Sequence, residues 1–232
     1  MREELLIVED LTLLMLDDKT GAIAGAGTMH YSFGGALLAE LALLGRVEID
    51  ESGKGLNGPK VFPVGDGPLE DPLLQSAYDK VAERTRRVQP LIHAIGGGLH
   101  NTLIDRLLER GLIRRENKRL LGVFRTTRLP AEDTGHEAEL RRKVCAVLED
   151  GERPDARTAT VIALLSSSGV LPTLDPTPKW SGKVHNRGKE LEKGDWGAEA
   201  VSTAVTWTAA AITMSTAAAQ SAVAATVITS TT

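Results

Sequence analysis

Cysteine is almost missing from this chain. Cys145 stands alone among 232 residues, which excludes an internal disulfide framework. Its neighbours Val144, Ala146 and Val147 mark it as a small buried hydrophobe. Aromatic side chains are scarce too, at 3%, so the core must be built from Leu, Val, Ile and Ala. There is no general excess of positive charge. Lys and Arg number 27 against 31 Asp and Glu, and the net charge of -4 argues against coating nucleic acid through bulk charge. Acidic Glu3, Glu4, Glu9 and Asp10 interrupt the first apolar run, so no secretory leader is read there and a cytoplasmic location is expected. From Ala200 to Thr232 no residue is charged, but Leu and Phe are absent as well. Alanine is nearly neutral toward bilayer insertion, so this stretch predicts a packed bundle helix with a Thr-rich end and not a membrane span.

The motifs of common chemistry are also missing. Gly21, Gly25 and Gly27, and separately Gly96 to Gly98, lack the GxxxxGK[ST] spacing of a phosphate loop. His93 and His100 are placed to share a helix face, yet no HExxH, CxxC or carboxylate cluster accompanies them, so no metal site is read. His30, His136 and His185 read as surface or partly buried histidines. Ser166-Ser167-Ser168-Gly169 is not a nucleophile elbow and has no evident partner base. No cofactor is implied, and the chain reads as non-enzymatic.

What is present is ordinary globular composition, 42% hydrophobic and 25% charged, at a length that buries a real core. The pattern predicts a mainly α fold: one helical domain over residues 1–232, a central bundle wrapped by amphipathic helices, plus short β-hairpins. Leu5 to Leu16 reads as a helix running into the turn Asp17 to Gly21. Ser32 is the expected N-cap of a helix over Phe33 to Leu44 that ends at Gly45. This segment is apolar almost all round, with Glu40 its one charge, and so belongs in the middle of the core. Arg46 to Asp50 and Lys60 to Val64 read as short strands. Helices are predicted over Leu73 to Thr85, over Leu91 to Arg110 as one or two pieces, over Glu137 to Glu149 and over Thr158 to Ser168. Leu174 to Trp196 reads as a surface excursion, with Lys189 to Lys193 opening a last helix.

The strongest local signal lies at Arg114 to Arg128. Arg114, Arg115, Lys118, Arg119, Arg125 and Arg128 face one acid, Glu116, and surround an apolar tip of Leu120, Leu121, Val123 and Phe124 hinged at Gly122. Basic residues around an apolar tip suit docking on anionic lipid, with the charges at the headgroups and Leu and Phe below them. The competing reading is a hairpin with a solvated basic face. A second basic cluster, Arg84, Arg86 and Arg87, reads as a helix C-terminus complemented by cations, and supports the first if the two share a face. Helix, Gly111 and basic hairpin in succession also describe a winged helix. However, Asp105 and Glu109 cancel Arg106 and Arg110 on that helix, so nucleic acid is the weakest of the candidate partners.

Four segments resemble the Golgi phosphoprotein 3 family of peripheral membrane proteins: Leu13 to Gly21, Gly35 to Val47, Leu107 to Ile113 with its hairpin, and Ala146 to Leu165. They occur in the family's order. The resemblance implies a helical bundle with a protruding hairpin that inserts into membranes carrying phosphatidylinositol 4-phosphate, and a capacity for self-association through that region. The family's headgroup residues, a Trp and three Arg in eukaryotic members, fall here on Gly25, Gly34, Gly97 and His100. Those residue types supply neither an aromatic wall nor bidentate phosphate contacts. With a helix starting almost at Met1, the chain lacks the eukaryotic N-terminal extension and resembles a bacterial-type member. The expected partner is an anionic phospholipid or phosphoinositide headgroup, with a homo-oligomer as the alternative.

Overall fold

The computed structural model describes residues 4–17, 20–25, 27–55, 58–120, 124–174, 178–194, 206–208 and 210. The elements run α1 (Ile7–Met15), α2 (Met29–Leu43), β1 (Val47–Gly55), β2 (Gly58–Pro63), α3 (Pro72–Glu83), β3 (Arg86–Arg87), α4 (Val88–Gly96) and α5 (Leu99–Glu109). After them come β4 (Glu116–Leu120), β5 (Phe124–Arg128), α6 (Thr134–Cys145), a π-helical turn (Ala146–Asp150), α7 (Ala156–Ser167), a 3-10 turn (Leu171–Thr173) and α8 (Gly182–Glu192). The fold is mainly α. The expected bundle helix over 200–232 falls largely outside the described residues.

The central helix is α2, as its all-round apolarity predicts. Every residue from Ser32 to Leu41 is buried. It begins a turn earlier than expected, at Met29, so Ser32 is a buried interior residue and not the N-cap. Close packing accounts for the extra turn: α2 and α4 meet backbone to backbone at Gly34 and Gly96, where any larger residue would collide with a facing carbonyl. Gly45 ends the helix at φ +65, a backbone geometry that glycine adopts without a Cβ penalty.

Side-chain caps fix the starts of α3, α7 and α8. The Asp71 carboxylate accepts from Leu73 N at 2.8 Å and Leu74 N at 3.2 Å, with Pro72 in the first turn of α3. Asp155 accepts from Thr158 N at 2.7 Å, and Ser181 Oγ from Val184 N at 3.2 Å. Ser181 starts α8 inside the stretch expected to be a surface excursion. That helix hides in a charge-rich sequence because only Val184, Gly188 and Leu191 are buried. Gly188 lets it approach α7, where an added Cβ would lie 2.8 Å from Ser166 Oγ.

Strands β1, β2 and β3 form one antiparallel sheet in that order, with Ile49 opposite Val61 and Val61 opposite Arg86. Arg86 and Arg87 therefore do not end a helix. α3 stops at Glu83, and the two arginines form the third strand, paired through bonds to β2 that no local pattern reveals.

Buried ion pairs tie α1 to the rest. Glu9 is wholly buried; it accepts from Leu6 N at 2.8 Å and from Arg106 at 3.0 Å, and lies 3.0 Å from Arg110 Nε. Asp10 takes Arg157 at 2.7 Å and His136 at 2.9 Å. Glu40 accepts from Ile7 N at 2.5 Å and from Arg157 at 3.4 Å. Burial raises the Glu40 pKa, opposed by the Ile7 N–H and the Arg157 guanidinium. Burial works against the charge on Arg157, but Asp10 and Glu40 outweigh it and hold its pKa above the ordinary value.

Candidate functional site

The basic segment forms a hairpin whose base is built into the core. α5 ends at Gly111 with φ +68, and Leu112 N returns to Leu107 O at 2.9 Å. Leu112, Ile113 and Leu129 are buried and anchor both legs. The legs are stitched by the Ile113–Ala131 bridge, by Arg114 N donating to Pro130 O at 3.0 Å, and by Glu132 N donating to Leu112 O at 2.8 Å. Beyond this base, β4 and β5 pair antiparallel as a separate two-stranded sheet.

The register sorts the predicted residues onto two faces. Glu116 pairs with Arg128, Lys118 with Thr126 and Leu120 with Phe124. In the alternate positions Asn117 pairs with Thr127 and Arg119 with Arg125. Strand residues two apart share a face, so Lys118, Leu120, Phe124 and Arg128 occupy one side and Arg119 and Arg125 the other. Leu121 and Val123 lie outside the described residues, and of Lys118, Arg119, Leu120, Phe124 and Arg125 the backbone alone is described.

At the stem two cations are compensated. Arg114 donates to Glu116 Oε1 at 3.0 and 2.8 Å and to Ala131 O at 3.3 Å. The Glu116 hydrogen bond holds its pKa above the ordinary arginine value. Arg115 lies 3.7 Å from Asp105 of α5, an exposed pair worth little in stability. Glu116 is the one acid within the segment's own sequence, and Asp105 reaches the stem only through the fold.

The second cluster is engaged within the fold. Arg86 pairs with Glu83 at 2.9 Å, and Arg87 Nη1 donates to Gly58 O at 2.7 Å. Arg84 is the exposed residue after α3. These contacts lock the β3 turn and account for two of the three arginines without a ligand.

Gly34, one of the four positions aligned with headgroup residues, has no room for a side chain: an added Cβ would lie 1.9 Å from Ile92 O. Gly25 has φ +68. Beside this region three rings gather. His30 lies 4.0 Å from Tyr31 and 5.1 Å from His93 between ring centroids, and Tyr31 and His93 are 5.7 Å apart. His93 and His100 do not share a helix, because the chain breaks between α4 and α5 at Gly97 and Gly98. Among the described residues no helix is long and apolar enough to cross a membrane, and no group of three or more His, Cys, Asp or Glu is arranged to hold a metal.

A helical bundle with a buried apolar central helix and a basic hairpin projecting from its core defines the class of protein. The model of the Golgi phosphoprotein 3 (GPP34) family matches residues 7–208. The chain belongs to that family, whose members are in general phosphoinositide-binding proteins.

Proposed function

We propose that the protein is a non-enzymatic peripheral membrane protein that docks reversibly on anionic lipid through the β4–β5 hairpin. The observation that carries this reading is the register at the far end of the hairpin. An apolar cross-strand pair, Leu120 and Phe124, adjoins the turn, and a basic pair, Arg119 and Arg125, stands next to it. Like charges directly opposed across strands are unfavourable in a free hairpin, and an anionic surface removes that cost. Lys118, Arg119, Arg125 and Arg128 contribute roughly 1 kcal/mol each at such a surface. Each apolar side chain that enters the bilayer adds about 1.5–3 kcal/mol if buried. Set against the several kcal/mol lost in immobilising the protein, this gives reversible binding.

Cosedimentation tests the reading, with zwitterionic vesicles, generally anionic vesicles, and vesicles carrying phosphatidylinositol 4-phosphate at matched total charge. Equal binding to both anionic sets is the expected result, because Gly34 leaves no room for a headgroup-binding side chain at its position. The double variant Leu121→Asp with Phe124→Asp is expected to lose vesicle binding with its fold intact; retained binding overturns the hairpin mechanism.

One observation favours a second reading. β4 and β5 pair with each other and with no further strand among the described residues, so each presents an open edge to a second copy. Mass that rises with concentration and ignores lipid would select that reading over the first.

A further inference from the structure

We propose that His30 and His93 form an open-sided site for a divalent transition metal ion of the zinc class, between the first turn of α2 and the last turn of α4. The inference stands apart from the hairpin and does not rest on the membrane reading. It departs from the expectation that pairs His93 with His100, since the fold brings His93 to His30 instead.

Three observations carry it. The two imidazole centroids are 5.1 Å apart with their planes at 80°. Two imidazoles sharing one tetrahedral ion at about 2.0–2.1 Å would place their ring centres about 5 Å apart, so the separation of the two rings is the one a shared ion requires. Second, His30 Nε2 is buried with no hydrogen-bond partner among the described residues. A buried ring nitrogen without a partner is costly to leave so, and an ion at that nitrogen would satisfy it. Third, the backbone that carries the pair is held rigidly. The His30 carbonyl is pressed against Gly96, and the carbonyl of Ile92, the neighbour of His93, against Gly34. Both ligand positions are therefore fixed relative to each other, as a preorganised site needs.

The chemistry of the surroundings agrees. Burial, and then the nearby His93, lower the His30 pKa and so favour the neutral ring that a metal ligand requires. Imidazole nitrogen suits zinc, copper and nickel and discriminates against magnesium and calcium. His93 is exposed, so the ion arrives from solvent and its remaining positions are open to water or to a donor from a partner. Two protein ligands make such a site weaker and more exchangeable than a closed structural one.

Calorimetric titration of the tag-free protein with zinc chloride at pH 7.5 tests the site. One ion per chain is expected. His93→Asn, at an exposed position, should weaken binding by more than about tenfold, the scale on which disturbing even a ligand's support acts, with no change in unfolding midpoint. His100→Asn should change nothing. Copper(II) electron paramagnetic resonance should show coupling to two imidazole nitrogens, reduced to one in His93→Asn. Zinc binding that is absent, or unaltered in His93→Asn, overturns the proposal. So does a pair that binds inorganic phosphate and not zinc in the same titration.

Discussion

Gly96 lies flat against the carbonyl oxygen of His30: a Cβ added there would stand 1.7 Å from that oxygen. No side-chain adjustment relieves a contact between backbone atoms, so α2 and α4 must separate if either glycine is enlarged. Gly34→Ala and Gly96→Ala are each expected to destabilise the protein by at least the ~1–3 kcal/mol typical of overpacking. Chemical denaturation checks this, and a loss below about 1 kcal/mol would mean that the two helices yield easily.

The hairpin charges near the turn should matter more to vesicle binding than those at the stem. Replacing Arg119 and Arg125 by Ser should cost roughly 2 kcal/mol on anionic vesicles, about thirtyfold in affinity. Arg114→Ser should cost less, because Arg114 is already occupied by Glu116 and Ala131 O. Binding of the parent should also weaken as salt rises. Equal effects at stem and tip would mean that the Glu116 pairing does not withhold Arg114 from the surface.

How much of this was legible beforehand follows from the range of the interactions. The central helix was readable because its apolarity is a local pattern, and so was the hairpin, from basic residues flanking an apolar tip hinged at Gly122. The third strand was not. Arg86 and Arg87 are strand because Val61 and Lys60 lie beside them, and nothing in their own neighbourhood says so. α8 escaped for the opposite reason: it is a helix with so narrow an apolar stripe that charge dominates its sequence. At the candidate site, the charges were visible but their compensation by Asp105 was not. The His30–His93 pair could not be found by spacing, since it joins two helices that only the glycine contact brings together.

Arg157 is the shared partner of two buried carboxylates. Arg157→Met removes its bonds to Asp10, Glu40 and the Leu5 carbonyl, and leaves both acids without that counter-charge. A loss approaching the ~3–5 kcal/mol of a broken buried pair is expected. Thermal and urea unfolding would measure it. A near-neutral result would show that His136 and the Ile7 N–H suffice for the two acids.

Glu40 predicts a pH dependence of definite sign. Its folded pKa is raised, so between the ordinary carboxylate value of about 4.3 and that elevated value the native state binds more protons than the unfolded chain. Through this window Glu40's contribution to stability falls as pH rises, and above it the buried charge is a constant penalty. Glu40→Gln removes the titration. The difference in unfolding free energy between parent and Glu40→Gln should therefore shift toward the variant as pH rises through the window. A difference independent of pH would place the Glu40 pKa at its ordinary value.

The ion pairs of α1 also set an order of events during synthesis. Asp10 and its partner Arg157 are 147 positions apart in the chain, and Glu9 and Arg106 are 97 apart. The first helix thus leaves the ribosome long before the guanidinium groups that neutralise it. At roughly 5–20 residues per second the wait is on the order of ten seconds. Over that interval the nascent α1 segment holds Glu9 and Asp10 without these counter-charges, and its native packing closes only once α7 has been made.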